Sequence, residues 1–279
     1  MNLDQIPFNF SLIADEFSPS IEGQVAAAKR IGARAIDLRS IGVRNVAELS
    51  VQELDDAVSQ IHDAGLVVAG LASSLGKHLG ESQAMASDLL RLHEVAERHR
   101  IPTIRIFGRL CAPSGSSGNR QALDWLEPLR TTIAHSSVDL VLEPEIGTGT
   151  PYAMEGLARV REFESEHLKL VWDSGNFVKQ GCYAPVSELY DALKVAIGHV
   201  HIKDFDTERQ CPCPPGEGAG QIAQLLHRLW VDRYSGWVAL EPQLVRDTRR
   251  FSSSDCALEA AAMGVVHCWT TAQMLQEAS

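Results

Sequence analysis

The sequence predicts an α/β protein built as one closed (β/α)8 TIM barrel over residues 1–279. Three observations predict it. Strand-like and helix-like segments alternate eight times, with no clear linker between them. No strand pair is joined by a hairpin signal, so the strands run parallel with crossover helices between them. Eight such units fit a closed barrel. The rival open sheet for dinucleotides would place a G-x-G-x-x-G after the first strand, and none follows it. Finally, the last four strand runs each end in Glu, Asp or His, at the end where a barrel gathers its functional groups.

Phe8–Ala14 reads as the first strand, and Ser18-Pro19 as the N-cap and first position of a helix that reaches Ile31 and stops at Gly32. Arg34–Leu38 is a short second strand tipped by Arg39 and Ser40. Ser50-Val51-Gln52-Glu53 is a capping-box pattern, and Val51, Leu54, Val58 and Ile61 follow at helical spacing. Gly65 ends that helix. Leu66–Ala72 is the third strand, with Lys77 and His78 in its loop. A helix from Glu81 to His99 puts Met85, Leu89, Leu92 and Val95 on one face. Thr103–Phe107 is the fourth strand, Cys111–Gly118 a Pro/Ser/Gly-rich loop, and Asn119–His135 the fourth helix. Val138–Glu143 is the fifth strand, and Thr150-Pro151 opens the fifth helix. Leu168–Asp173 is the sixth strand. Pro185 opens the sixth helix, striped by Val186, Leu189, Tyr190 and Leu193. Ile197–Lys203 is the seventh strand, and Asp206–Gly220 a polar Pro/Gly-rich loop. The seventh helix carries Ile222, Leu225, Leu226 and Leu229; Trp237–Glu241 is the eighth strand, and a last helix covers Ser253–Leu275.

Composition narrows the function. Hydrophobic residues make up 45% and charged residues 22%, enough for a large core and too little charge for disorder. The net charge of −11 repels phosphate backbones and anionic membranes, so neither nucleic acid nor a membrane is an expected partner. The six cysteines are scattered in a chain too large to need disulfide staples, which points to a reducing cytoplasm. The opening Met1-Asn2-Leu3-Asp4-Gln5 lacks a basic and apolar leader pattern, and no apolar run reaches the about 18 residues of a membrane span.

Glu143, Asp173, His201 and Glu241 lie at the C-terminal tips of strands five to eight. Barrel closure brings four adjacent tips around one point. Three carboxylates and one imidazole form a hard, mostly anionic ligand set that suits Mn²⁺, Mg²⁺ or Co²⁺. Without a cation, such clustering would cost several kcal/mol in repulsion and desolvation. A single acid at a strand end is ordinary; four on consecutive strands are not. Strand alternation puts His199, His201 and Lys203 on one face, so His199 reads as a hydrogen-bonded interior group beneath His201. Glu145 shares the alternation of Glu143 and is a possible substitute ligand, but Glu143 directly ends the apolar run.

The motifs Leu142-Glu143-Pro144, Trp172-Asp173-Ser174-Gly175-Asn176, His199-Val200-His201-Ile202-Lys203-Asp204, Gly216-Glu217-Gly218 and Gly236-Trp237-Val238-Ala239-Leu240-Glu241-Pro242 occur in that order. With Ile36-Asp37-Leu38-Arg39 and the Ser73–Lys77 region, they resemble the xylose isomerase-like barrel superfamily, which contains sugar isomerases, ketose 3-epimerases and endonuclease IV. The resemblance implies one divalent ion, Mn²⁺ before Mg²⁺ or Co²⁺, held by Glu143, Asp173, His201 and Glu241. It also implies that Glu143 and Glu241 act as an acid/base pair, moving a proton beside a ketone through an enediolate. A metal on the carbonyl brings such a weak carbon acid within reach of a carboxylate. A small carbohydrate substrate and a homodimer or homotetramer are the expected partners. Two positions depart from the epimerase pattern. Asn176 stands where many epimerases carry a substrate-binding His, and Thr207 where they carry an Arg. Asn176, Lys203, Lys77 and Arg39 are therefore the candidate substrate contacts, which keeps sugar acids open.

The same intermediate can lose a β-hydroxyl or arise by decarboxylation, so a lyase on a keto-sugar or sugar acid is the alternative. An endonuclease IV-like repair enzyme would need further His and Asp ligands and a basic face. A non-catalytic metal-binding barrel is the remaining option. Glu217 sits in a Gly-flanked loop as a candidate lid residue, and Asp204 as a group orienting Lys203 or a loop. Cys211-Pro212-Cys213 lacks zinc-knuckle spacing and reads as plain loop. His62, His93, His99, His135, His167, His227 and His267 show no paired spacing and read as surface groups.

Overall fold

The computed structural model describes residues 2–77, 81–110 and 121–277. Eight parallel strands close into a barrel: β1 (Asn9–Leu12), β2 (Ala35–Leu38), β3 (Val67–Leu71), β4 (Thr103–Ile106), β5 (Asp139–Leu142), β6 (Leu168–Asp173), β7 (Ile197–Ile202) and β8 (Trp237–Leu240). Each pairs with its sequence neighbours, and β1 closes on β8 through Asn9↔Trp237 to Leu12↔Leu240. The predicted barrel is the observed one.

Helices α1 (Ile21–Ile31), α2 (Val51–Asp63), α3 (Ser82–His99), α4 (Arg130–Ala134), α5 (Ala153–Phe163), α6 (Ser174–Lys179), α7 (Pro185–Leu193), α8 (Ile222–Val231) and α9 (Ser254–Glu277) lie between and after the strands. Their apolar stripes form the outer core. Strand residues of one parity face these helices: Trp172 packs edge-on against Phe177 at 5.1 Å and Tyr190 at 5.6 Å between ring centres. Such aromatic pairs add about 0.5–1.5 kcal/mol each beyond the area they bury. Phe8 and Trp230 both meet Trp269 of α9, at 5.5 and 5.3 Å, which fastens the last helix under the first strand.

The capping box is present: the Ser50 hydroxyl accepts from Glu53 N and the Glu53 carboxylate accepts from Ser50 N. Four local expectations need correction. The N-cap of α1 is Ser20, whose hydroxyl accepts from Gly23 N, while Ser18-Pro19 forms the bend before it. Helix five begins at Ala153 after Tyr152, so Thr150-Pro151 belongs to the preceding loop. The fourth helix is not one continuous α-helix over Asn119–His135. It is a 3₁₀ segment, Asp124–Leu129, followed by α4. Pro128 has no N–H to donate to the α-pattern, and Asn119 lies outside the described residues. The stretch after β7 is not simply loop, because Asp204–Asp206 pairs antiparallel with Cys211–Cys213. A second small hairpin joins Ser40–Ile41 to Arg44–Asn45. Both sit above the barrel mouth rather than in its wall. His78 and the Cys111–Gly118 loop also lie outside the described residues.

Candidate metal centre

Parity aims the other half of each strand into the barrel, and in this chain that half is unusually polar. Ser11, Asp37, Thr103, Arg105 and His199 are all buried there. The Ser11 hydroxyl donates to Asp37 Oδ2, and Asp37 Oδ1 lies 3.1 Å from His199 Nε2. Burial opposes the charge on Asp37, but His199 and the Ser11 hydroxyl outweigh it and lower its pKa. His199 is therefore a floor group with its own carboxylate, 5.5 Å from the His201 ring. Gly70 belongs to this floor: a Cβ there would come within 2.5 Å of the Thr103 hydroxyl and 2.7 Å of Asp37.

Above the floor the four tips converge. One ligand atom from each of Glu143, Asp173, His201 and Glu241 lies within 4.8 Å of all the others. Their exposures are 1%, 0%, 1% and 3%. Asp173 ends β6 and also caps α6, its Oδ1 accepting from Asn176 N at 2.9 Å. That short helix is one element the sequence reading passed over; an Asp followed by small residues at a strand end is the signal that would have found it. The cap holds Asn176 where its Nδ2 donates to Glu143 Oε1 at 2.9 Å.

Three cations surround the carboxylates. Arg105 Nη1 lies 3.0 Å from Glu143 Oε2, and its other nitrogens donate to the carbonyls of Ala72 and Ser73. Arg39 Nη1 donates to Glu241 Oε1 at 2.7 Å, while its Nε donates to Asp15 at 2.9 Å. Lys203 Nζ donates to Asp173 Oδ2 at 2.7 Å and lies 2.8 Å from Glu241 Oε2. Gly175 admits the lysine stem: a Cβ on it would come within 2.6 Å of Lys203 Cγ. Arg105 and Asp15 were missed in the sequence. The polar parity of Thr103 and Arg105 within an otherwise apolar strand was the available signal for Arg105.

Charge follows from this packing. Burial alone would protonate Glu143, but Arg105 and His201 hold its pKa well below the usual range. Burial likewise opposes charge on Glu241, and Lys203, His201 and Arg39 overcome it. Asp173 is pushed up to about 6 by burial and by the neighbouring Glu143 and Glu241 charges, against the pull of Lys203. His201, despite burial, is raised to about 9 by Glu143 and Glu241.

The donor set fits a divalent cation. Glu143 Oε2, Glu241 Oε2 and His201 Nδ1 are buried and receive or donate no hydrogen bond. Arg105 and Lys203 lie 3.0 and 2.8 Å from the two oxygens and balance their charge, but outside hydrogen-bonding geometry. Unsatisfied buried acceptors are costly unless something positive completes them. Three carboxylates and one imidazole suit Mg²⁺ or Mn²⁺.

The remaining candidates fall around the mouth. Lys77 Nζ pairs with both oxygens of Glu145, 2.9 and 2.7 Å away, so Glu145 is engaged away from the four tips. Asp204 accepts from the N–H groups of Phe205, Gly216, Gly218 and Gly220 and pins the loop that follows β7. Glu217 accepts from Arg250 with both oxygens. His93, His99 and His167 bond Ser136, Asp55 and Asp139 away from the centre. A cavity of ≈ 730 Å³ opens over the centre, lined among others by Arg39, Lys77, Glu143, Lys203 and Glu241.

Fold and site together define a barrel with a buried carboxylate–imidazole centre at its C-terminal mouth. The chain belongs to the xylose isomerase-like TIM barrel family, whose model matches residues 25–258. Among solved structures it is similar to the 3-keto-D-glucoside 4-epimerase YcjR of E. coli, at 17% identity over 95% of this chain and 100% of that one, with a TM-score of 0.71. A xylose isomerase-like barrel protein of Mycobacterium smegmatis, in complex with magnesium, gives 16% identity over 98% of each chain and a TM-score of 0.69. The probable 3-DHS dehydratase AsbF of Bacillus anthracis gives 17% identity, 93% and 99% coverage and a TM-score of 0.70. No curated protein sequence matches the chain. At such identities these likenesses establish the fold. Among the described residues no helix is long and apolar enough to cross a membrane.

Proposed function

We propose that the chain is a divalent-metal-dependent isomerase or epimerase of a small keto-sugar or keto-sugar acid. The observation that carries this reading is the buried ring of Glu143, Asp173, His201 and Glu241 beneath a polar cavity, with one oxygen of each glutamate free of hydrogen bonds. A bound Mn²⁺ or Mg²⁺ supplies Lewis-acid polarisation of a substrate carbonyl. The chain's own residues do the rest. Asn176 and Arg39 fix one oxygen of Glu143 and Glu241, respectively. The second oxygen of each is then left to ligate, or to take and return a proton beside the carbonyl. Because Arg105, Arg39 and Lys203 make both glutamates weak bases, they depend on that polarisation to remove a carbon-bound proton. The similarity to a 4-epimerase fits this chemistry.

A lyase is the second reading, favoured by one observation. Lys203 places a buried positive charge between Asp173 and Glu241, and the negative charge that develops on a departing β-hydroxyl needs such a cation beside it. The resemblance to a probable dehydratase points the same way. Incubation of the Mn²⁺-loaded protein with ketoses and keto-sugar acids in D₂O, followed by NMR, separates the two. Deuterium at the carbon beside the carbonyl, without elimination, is the expected result, and Glu241→Gln lowers it by about 10²–10⁴-fold. An unsaturated product or CO₂ establishes the lyase. Full activity of Glu241→Gln sinks the proton-transfer role.

A further inference from the structure

The cations of the barrel mouth divide into two sets. The inner ones are all engaged: Arg39 with Asp15 and Glu241, Arg105 with Glu143, Lys203 with Asp173, Lys77 with Glu145. Farther out, a second cavity of ≈ 1180 Å³ adjoins the first and shares Lys179, Gln243 and Arg246 with it. Its lining includes five cations, Lys179, Arg209, Arg246, Arg249 and Arg250, against only Glu217 and Asp247. Both acids turn toward Arg250. Glu217 chelates the Arg250 guanidinium, and Asp247 Oδ1 accepts from Arg250 N. Lys179, Arg246 and Arg249 have no ion pair among the described residues; Lys179 rests over the Phe205 ring, 5.4 Å from its centre.

A chain with 36 acids and 25 Lys and Arg has no compositional reason to gather five of its cations around one cavity and leave three without counter-ions. Like charges held together at a rim repel one another, so a common counter-ion is what stabilises them. Arginine forks match carboxylate and phosphate oxygens two at a time. Space agrees. Sites for drug-sized ligands occupy about 300–1,000 Å³, so the inner cavity alone accommodates a monosaccharide and the outer one is surplus to it.

We propose that Lys179, Arg246 and Arg249 form an outer anion subsite, which holds a carboxylate or phosphate at the far end of a substrate whose carbonyl end lies over Glu143 and Glu241. This rests on the proposed function for the position of the carbonyl, but the subsite itself is independent of turnover.

The test is binding, read by calorimetry on the full-length protein loaded with Mn²⁺. D-fructose, D-fructuronate and D-fructose 6-phosphate serve as neutral, carboxylate and phosphate probes. At least one anionic probe is expected to bind about tenfold or more tighter than the neutral one, and their order identifies the anion. In R246Q/R249Q this ratio falls toward one, in R246K/R249K part of it survives, and metal content measured by elemental analysis stays the same in both. Equal affinity of all three probes, no binding by any of them, or an unchanged ratio in R246Q/R249Q overturns the subsite. So does tight binding and nicking of abasic duplex DNA, which would assign these cations to a nucleic-acid backbone. A preference for anions without any turnover leaves the subsite standing and rejects the isomerase reading. Turnover of neutral ketoses with no preference does the reverse.

Discussion

Glu143 and Glu241 share a buried ring with three cations, and each glutamate accepts a hydrogen bond at one oxygen and none at the other. Arg105 is the residue that makes this tolerable on the Glu143 side. It is buried, it lies 3.0 Å from Glu143 Oε2, and it satisfies the Ala72 and Ser73 carbonyls. Removing one partner of a buried ion pair leaves the other charge without compensation. Arg105→Leu is therefore expected to lose about 3–5 kcal/mol of stability in chelator. Mn²⁺ should restore part of that loss, because a bound cation compensates the same carboxylate. Urea unfolding with EDTA and with Mn²⁺ measures both numbers; a loss under about 1 kcal/mol in EDTA would show that Arg105 is dispensable. At this scale the sequence named the four tips by their place at the ends of apolar runs. It did not reveal that Asn176 donates to Glu143, because that bond joins residues far apart in the chain through the geometry of a six-residue helix.

At the scale of elements, the segment after β7 lines the outer cavity beside the centre. Its hairpin, Asp204–Asp206 with Cys211–Cys213, is held down by one buried carboxylate accepting from three glycine N–H groups. Only glycine fits at 218 and 220, where a Cβ would come within 2.4 and 2.8 Å of Asp204 Oδ1. Asp204→Ala removes all of these acceptors at once. Trypsin cleavage after Arg209 is expected to accelerate about tenfold or more, because local opening governs proteolysis of a loop. Digestion at the wild-type rate would mean that the Glu217–Arg250 pair alone holds the segment. The sequence showed the Gly and Pro content of this segment but not its hairpin, since no turn dipeptide of the tight two-residue kind separates the short strands. Likewise the periodic apolar stripe of the long helices was legible, whereas Pro128 turned the expected fourth helix into a 3₁₀ segment and a single short α-turn.

For the whole molecule, metal binding, protonation and stability are linked. In the metal-free protein His201 is raised to about 9 and Asp173 to about 6. Both folded pKa values exceed the ordinary ones, so both groups stabilise the metal-free fold at low pH. That contribution is full below the unfolded pKa values and is lost as pH rises through about 6 for Asp173 and about 9 for His201. A metal reverses the sign, because its ligands must be deprotonated. Between pH 6 and 9, Mn²⁺ binding should release about one proton, and affinity should rise about tenfold per pH unit. At about 100 times its dissociation constant the ion adds about 2.7 kcal/mol, a rise of roughly 5–10 °C in melting temperature. Thermal melts with and without Mn²⁺ at pH 6.5 and 8.5 check this; a shift that does not grow with pH would remove His201 from the ligand set.

The sequence by itself determined the barrel and the four strand tips, because alternation, helical spacing and apolar run ends are all properties of neighbouring residues. The tertiary structure decided what surrounds those tips. Closure of β1 on β8 and the parallel order of β4 to β8 bring Arg39 beside Glu241, Arg105 beside Glu143 and Lys203 between Asp173 and Glu241. A charge state is set by partners across the barrel, and no pattern along a single strand records which side chains will meet there.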